Sequence, residues 1–133
     1  MFDAEAEADM NQSAKRVLLV NDDDGFLEMV QVGLKAHGYD VLVARDGSEA
    51  LVRAERDNPD LVVLDLVIPK RSGFSVLAHL RNGNIRRQRI VIVSGNHEPH
   101  YQKFAMSQGA DAVLLKPFEV DQLLNEVDLL LQS

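Results

Sequence analysis

The chain has 133 residues, which is the size of one domain that can bury a core without disulfides or a structural metal. Hydrophobic residues make up 46% and charged residues 26%, and no apolar run approaches the roughly 20 residues of a membrane helix. The net charge of −7 and the absence of cysteine argue against a general nucleic-acid surface, a disulfide framework and a thiolate metal site. Because the start also lacks a secretory signal, we expect a cytoplasmic protein that binds neither nucleic acid nor a membrane.

The first 14 residues differ in composition from the rest of the chain. They carry a charge of −4 with no Lys or Arg, whereas residues 15–133 sum to −3. They also lack a strand pattern. We therefore expect a mobile acidic extension at 1–14 and a single folded domain at 15–133.

Short apolar runs alternate with segments of helical periodicity from Lys15 onward. The runs predict five strands, at 17–20, 41–44, 61–64, 90–93 and 112–115. They are almost continuously apolar, which is typical of parallel strands covered by helices on both faces.

Five helices are predicted between and after these strands. The first carries Phe26 and Leu34, and the second follows Ser48, which we expect to be its N-cap. The third starts at Ser72, the fourth includes Phe104, and the fifth runs through the apolar residues near 120–130. The chain is thus expected to be a single α/β domain, a doubly wound (βα)5 three-layer sandwich with a parallel five-stranded sheet.

Polar residues follow four of the five strands, at the edge where ligands bind in doubly wound sheets. They are Asn21, Asp22, Asp23 and Asp24 after the first strand, Asp65 after the third, Ser94 after the fourth, and Lys116 after the fifth. A single Asp after a strand is usually a helix cap or turn residue, but the joint pattern predicts a site.

Carboxylates that lie close together repel one another unless a cation neutralises them, and oxygen ligands without His or Cys favour Mg²⁺. Lys116 and Ser94 would then face an anion. Such a group of residues suits phosphoryl transfer onto a carboxylate, for which Asp65 is the best nucleophile.

Four segments of the chain resemble the receiver domain of two-component response regulators. They are VLLVNDDD, LVVLDLVIPKRSG, IVIVSGN and GADAVLLKPF. The resemblance covers Lys15 to the C-terminus and implies a flavodoxin-like strand order 2-1-3-4-5. It places Asp65 at the phosphoacceptor position, Ser94 at the hydroxyl switch position, and Lys116 at the lysine that precedes a proline.

The resemblance implies that Asp65 accepts a phosphoryl group from a sensor histidine kinase or a histidine phosphotransfer protein. Mg²⁺ would be bound by Asp22, Asp65 and the backbone carbonyl of Val67, with Asn21 also in the site. Ser94 and Lys116 would contact the phosphoryl oxygens, and the peptide bond before Pro117 would be cis. Such a domain assists its own phosphorylation and dephosphorylation and is not a turnover enzyme.

Two positions depart from the family pattern. Asn21 stands where an Asp is usual, so it contributes no charge to metal binding, although it could orient a metal-bound water. Val113 stands where Tyr or Phe is usual, so a signal would have to travel through the loop after Ser94 or through the fourth helix. These departures keep open a second interpretation, a pseudo-receiver that acts as a phosphorylation-independent interaction module.

A third interpretation is an unrelated metal-dependent phosphohydrolase, but Val67 occupies the position where such an enzyme needs an acid or base. For a receiver, the output would be a protein contact or a phosphoryl relay, with an effector removed if the chain is an excised domain. Partner binding or homodimerisation would use the face of helix four, strand five and helix five.

Two weaker motifs lie in predicted loops. His97 and His100 could form a metal pair, but Pro99 between them and the lack of a third ligand favour a solvated loop. A basic cluster is either a solvated loop or a docking patch for an acidic partner. It consists of Arg81, Arg86, Arg87 and Arg89.

Overall fold

Strands and helices alternate along the chain in the computed structural model, which describes residues 14–82 and 88–132. The strands are β1 Arg16–Val20, β2 Asp40–Ala44, β3 Leu61–Asp65, β4 Arg89–Ser94 and β5 Ala112–Leu115. The helices are α1 Asp24–Ala36, α2 Gly47–Asp57, α3 Gly73–Asn82, α4 Pro99–Ser107 and α5 Val120–Gln132. All predicted strands and helices are present, and the strand bounds differ from the predicted ones by at most one residue. The expected acidic extension lies outside the described residues except for Ala14.

The strands form one parallel sheet in the order β2-β1-β3-β4-β5. This order confirms the expected flavodoxin-like fold. The central position of β1 and β3 brings their carboxyl ends side by side, with Val20 paired to Leu64. The residues that follow these two strands therefore meet at one edge of the sheet.

Alternate residues of each strand point to opposite faces of the sheet, and each face has its own core. Leu18 and Val20 pack with buried residues of α2, α3 and α4, whereas Val17 and Leu19 pack with those of α1 and α5. Because both faces are covered, the three-layer sandwich is confirmed. No helix in the described ranges is both long and apolar enough to cross a membrane.

The starts of two helices differ from the predictions. The prediction of Ser48 as N-cap of α2 is wrong, because Asp46 has the extended backbone of a cap and accepts from the Glu49 amide at 2.8 Å. Glu49 in turn accepts from the Arg45 amide at 2.8 Å. At α3 the Ser72 hydroxyl accepts from a backbone amide, and the helix begins one residue later than predicted.

Near the amino-terminal ends of β4 and β5, the guanidinium of Arg81 connects three segments of the chain. It donates to the Gly109 carbonyl at 2.8 Å, to the Gln88 carbonyl at 2.8 Å and to Asp111 at 3.0 Å. Its side chain is only 13% exposed, so Arg81 belongs neither to a solvated loop nor to a docking patch. Two further arginines of the predicted basic cluster, Arg86 and Arg87, lie outside the described residues.

Candidate functional site

Asp65 lies at the carboxyl end of β3, is 5% exposed, and receives hydrogen bonds from three other residues. The Lys116 ammonium and the Asn21 amide donate to its Oδ2 at 2.6 and 3.0 Å. The Val67 backbone amide donates to its Oδ1 at 2.9 Å. These contacts bring the segments after β1, β3 and β5 to one buried carboxylate, whose two oxygens both have hydrogen-bond donors.

The side chain of Asn21 is held in one orientation. Asn21 is 3% exposed, and its own amide donates to the Ala44 carbonyl at 3.0 Å. Its Oδ1 accepts from the Asp23 backbone amide at 2.9 Å, which turns the side-chain NH2 group towards Asp65. An aspartate at this position could not donate to Asp65. The departure from the family pattern therefore replaces a repulsion between carboxylates with a hydrogen bond.

Ser94 ends β4 and is 6% exposed. Its Oγ accepts from the Asn96 amide at 3.0 Å, and its carbonyl accepts from the Lys116 amide at 2.8 Å. The hydroxyl acts only as an acceptor in the first contact, so its proton remains able to bond an anion. The structure thus holds this hydroxyl at the same sheet edge as Asp65.

The remaining predicted site residues are open to solvent. Asp22 is exposed and forms no hydrogen bond or ion pair within residues 14–82 and 88–132. The Val67 side chain is 84% exposed, while its backbone amide contacts Asp65. Asp23, which the pattern also placed near the site, caps α1 by accepting from the Phe26 amide at 3.2 Å.

Gly73 allows α3 to begin directly beneath the site. A Cβ at this position would lie 2.5 Å from the Leu66 Cα and 2.7 Å from the Asp65 carbonyl oxygen. The Gly73 amide also donates to the Leu66 carbonyl at 3.1 Å. A side chain would push the helix away from the strand end. The motif points to a glycine here, but the close approach that requires it is visible only in the structure.

The loop between β3 and α3 is tied to the start of α2. The Gly47 amide donates to the Pro69 carbonyl at 3.1 Å, and Lys70 lies 3.5 Å from Asp46. The Glu49 backbone amide is the main cause of a lowered pKa at Asp46, and the charge of Lys70 adds to it. These contacts hold the segment that follows Asp65.

His97 contacts the site from the loop between β4 and α4. Its Nε2 lies 2.6 Å from the Lys116 carbonyl oxygen, whereas His100 is 3.3 Å from Glu98. The described part of the chain contains no group of three or more His, Cys, Asp or Glu residues arranged to hold a metal. The interpretation of His97 and His100 as a metal pair is therefore not supported, and no sequence motif points to the contact with Lys116.

Strand β5 and the loop after it contribute a cis peptide bond and a partly buried valine near the site. The Lys116–Pro117 peptide bond is cis, as the resemblance implies. Val113 lies on β5 and packs, partly buried, against the core on the side of α2, α3 and α4. Its side chain therefore lies against the core, at the position where the family usually has Tyr or Phe.

A sequence model of the response regulator receiver domain matches residues 17–128. The chain belongs to this family. Receiver domains of response regulators are signalling modules of two-component systems. Membership of this family implies interaction with histidine kinases, and the family uses a divalent metal.

The most similar curated relatives include regulators of transcription. The chain is 36% identical over 104 residues to the alkaline phosphatase synthesis transcriptional regulatory protein PhoP of Bacillus subtilis, covering 78% of this chain and 43% of that protein. It is 36% identical over 120 residues to the DNA-binding dual master transcriptional regulator RpaA of Synechocystis, covering 88% and 49% respectively. The chain thus spans about half the length of these relatives.

Solved structures of receiver domains are similar in fold. The receiver domain of Francisella response regulator 1452 superposes with a TM-score of 0.84 at 31% identity, covering 89% of this chain and 97% of that one. The chemotaxis response regulator CheY4 of Vibrio cholerae superposes with a TM-score of 0.82 at 28% identity, covering 89% and 99% respectively.

Proposed function

We propose that Asp65 accepts a phosphoryl group from a phosphohistidine of a sensor histidine kinase or a histidine phosphotransfer protein. The observation that carries this proposal is the contact of the Lys116 ammonium with the buried Asp65 carboxylate at 2.6 Å. A carboxylate is an established kind of nucleophile, and the ammonium beside it can offset charge on a transferring phosphoryl group.

In the proposed reaction, a carboxylate oxygen of Asp65 attacks phosphorus as the bond between phosphorus and the donor imidazole nitrogen breaks. The imidazole leaves with the electron pair of that bond and takes up a proton. Lys116 Nζ and the Ser94 hydroxyl proton bond the phosphoryl oxygens, and Lys116 moves part of its interaction from Asp65 to them. Hydrolysis of the acyl phosphate by water returns the free carboxylate and inorganic phosphate.

The residues at the site fit Mg²⁺, which is usually held by one or two carboxylates together with phosphate oxygens. Asp22, Asp65 and the Val67 carbonyl would hold it, and Asp22 has no competing partner in the described ranges. When bound, the cation would offset charge on the phosphoryl oxygens. Asn21 adds no charge, and its oxygen accepts from the Asp23 amide, which leaves one lone pair that could orient a metal-bound water.

The proposal is tested by intact mass after incubation with Mg²⁺ and acetyl phosphate. We expect the native chain to gain one phosphoryl group and Asp65→Asn to gain none. Prior chelation of Mg²⁺ should abolish the gain. Asp40→Asn is the matched control, because Asp40 is an exposed carboxylate at the start of β2, at the far end of the sheet. Uptake by folded Asp65→Asn would refute the assignment of the acceptor.

One observation favours the second candidate, a pseudo-receiver that acts without phosphorylation. The Asn21 amide and the Lys116 ammonium together satisfy the hydrogen-bonding capacity of Asp65 Oδ2 without a metal ion. If the folded native chain takes up no phosphoryl group from acetyl phosphate or a phosphohistidine donor, this candidate replaces the first. Binding partners should then be sought for the unmodified protein.

For the output, we propose a reversible protein contact on the face formed by α4, β5 and α5, with homodimerisation as one form of it. Exposed apolar side chains on α4 and α5 support this surface, among them Phe104 at 49% and Leu129 at 68% exposure. Because Val113 is aliphatic, the loop after Ser94 and α4 would transmit the signal. A cytoplasmic location and the absence of nucleic-acid binding by this domain remain predictions.

A further inference from the structure

The loop between β4 and α4 holds the backbone of Lys116 through a single imidazole. His97 Nε2 lies 2.6 Å from the Lys116 carbonyl oxygen. A carbonyl oxygen can only accept, so the ring carries a proton on Nε2 and donates it. Since the His97 side chain is exposed, burial of apolar surface does not explain why the imidazole ring lies beside the Lys116 carbonyl. The hydrogen bond from Nε2 to this carbonyl explains the position of the ring.

All three polar groups of Lys116 have partners. Its backbone amide donates to the Ser94 carbonyl at 2.8 Å, and its carbonyl accepts from His97. Its ammonium donates to Asp65 Oδ2 at 2.6 Å. The end of β4 and the following loop therefore hold the lysine backbone on both sides, and the long side chain extends from this fixed point to the carboxylate.

The same loop also positions the hydroxyl of the site. The Asn96 amide donates to Ser94 Oγ at 3.0 Å, and the Glu98 amide donates to the Asn96 side chain at 2.9 Å. His97 lies between these two residues. The hydroxyl of Ser94 and the backbone of Lys116 are thus connected through one short turn.

We infer that His97 is a positioning residue, which places the Lys116 ammonium over Asp65 by holding the lysine carbonyl. The inference rests on the proposed function for its effect on phosphorylation, but its effect on the Lys116–Asp65 contact is independent of it. Misplacement of a reacting group by about 1 Å can cost about 100-fold in rate. A lysine held only at its amide keeps its ammonium near the site, so we expect a smaller loss, of about tenfold.

The kinetic test compares His97→Leu with His97→Gln, using Mg²⁺ and acetyl phosphate and following phosphoryl uptake by intact mass. Leucine removes the donor, and we expect uptake to be about tenfold slower, with the half-saturating donor concentration unchanged. Glutamine offers an amide N–H near the place of Nε2, so it should restore most of the rate. A native rate in His97→Leu, or equally slow leucine and glutamine variants, would overturn the inference.

His100→Leu is the matched control for the kinetic test. It removes a histidine from the same segment, but the His100 side chain is 71% exposed, and its contacts are with Glu98 and with the ring of the adjacent Tyr101 rather than with Lys116. Its rate should equal that of the native chain. If His100→Leu is as slow as His97→Leu, the effect belongs to the segment as a whole and the inference fails.

A second test does not depend on phosphorylation. His97→Leu and Lys116→Met are combined in a double-mutant cycle of unfolding equilibria, because Lys116→Met keeps the carbonyl that His97 contacts but removes the ammonium. If His97 positions the ammonium, the two changes should couple by a factor of about three or more in the unfolding equilibrium constant. Additive effects would overturn the inference. Coupling in a chain that takes up no phosphoryl group would retain it while refuting the proposed function.

Discussion

Asp65 has hydrogen-bond donors on both of its oxygens, and one of these donors, Asn21, is an amide where the family pattern has a carboxylate. A buried carboxylate is costly unless hydrogen bonds or opposite charge offset the loss of water. Asn21 and Lys116 supply that offset here without a metal ion. We therefore expect the residue that follows β1 to influence how strongly the proposed site binds a metal.

We predict that Asn21→Asp tightens Mg²⁺ binding by about tenfold, equivalent to about 1.4 kcal/mol, because a second carboxylate beside Asp65 adds attraction for the cation. Without Mg²⁺ the same variant should be less stable by about 2 kcal/mol, since a hydrogen bond is replaced by repulsion. Calorimetric titration and chemical denaturation measure the two effects. Asn125→Asp, the same change on the exposed side of α5, should alter neither. Equal Mg²⁺ affinity in the native chain and Asn21→Asp would contradict this account.

Gly73 gives a second prediction at this scale. Gly73→Ala should lower the free energy of unfolding by about 3 kcal/mol, because its Cβ would lie 2.5 Å from backbone that cannot move without distorting β3. Gly95→Ala is the control, since a Cβ there meets nothing within 4 Å, and it should change stability by less than about 0.5 kcal/mol. Chemical denaturation of both variants checks the prediction, which fails if their stabilities are equal.

Among single residues, the pattern at the strand ends predicted that Lys116 and Asp65 lie at the same end of the sheet, because parallel strands bring their carboxyl ends together. The direct contact between them is a finding of the structure. It did not predict the roles of Gly73, His97 or Arg81. Each of these roles depends on a close approach or a hydrogen bond to a segment distant in sequence. A side chain in a loop carries no periodicity that would reveal such a partner.

At the scale of elements, α1 and α5 are joined beyond the core by a cluster of polar side chains. Tyr39, just after α1, donates to Asp128 Oδ1 at 2.5 Å, and His37 Nδ1 lies 2.9 Å from Oδ2 of the same carboxylate. Burial raises the pKa of Tyr39 above its ordinary value, and the hydrogen bond to Asp128 raises it further. The neutral phenol is the form that links the two helices.

The pH dependence of this link follows from the raised pKa of Tyr39. The folded state favours the protonated phenol, so its contribution to stability is complete below the unfolded pKa of about 10 and is lost as pH rises through the folded value. The chain has 2 tyrosines and no tryptophan, so Tyr101→Phe leaves only Tyr39 to report by tyrosinate absorbance. We expect ionisation well above pH 10 in that variant, and at lower pH when Asp128→Asn is added. Ionisation near pH 10 without the second change would contradict the prediction.

Helix boundaries show where local sequence is insufficient at this scale. Both Asp46 and Ser48 are acceptable caps by composition, and both precede a segment of helical periodicity. The contact of Gly47 with the Pro69 carbonyl holds the earlier residue at the helix start. The choice between the two caps is thus made by the loop after Asp65, which the local sequence does not contain.

Across the whole molecule, burial is uneven. The residues of β3 are all buried, whereas those of β5 are all half-buried. Helix α4 buries only Ala105, and its N-cap makes no side-chain hydrogen bond. Segments with few buried apolar side chains open locally at a lower free energy than segments that are fully buried. The side of the sheet that carries the proposed output surface is therefore the side with the weaker packing.

Native-state hydrogen exchange should reveal this gradient. Amides of β1 and β3 should exchange only by global unfolding, and those of α4 about 100-fold faster or more, which corresponds to about 2.7 kcal/mol. Chemical shift assignment with exchange into heavy water gives both values in one sample. Equal protection of α4 and β3 would show that the domain opens as a single unit.

The fold as a whole was predictable because the apolar runs and helical segments repeat in a regular alternation, for which parallel pairing and right-handed crossovers leave few arrangements. The strand order was implied by the family resemblance. The Arg81 network was not predictable, since it joins α3 to the loops flanking β4 and β5 by contacts with backbone carbonyls. Such contacts have no signature in residue type.

The residues around Asp65 come from distant parts of the chain, with Asn21 before it and Lys116 far after it. A ribosome releases the chain from its N-terminus, so Asp65 emerges from the exit tunnel long before β5 and Lys116. Until then it is an ordinary carboxylate without its ammonium partner. If Asp65 is the acceptor, its ammonium partner is supplied only when translation of the domain is nearly complete, and we expect chains that end before Lys116 not to be phosphorylated.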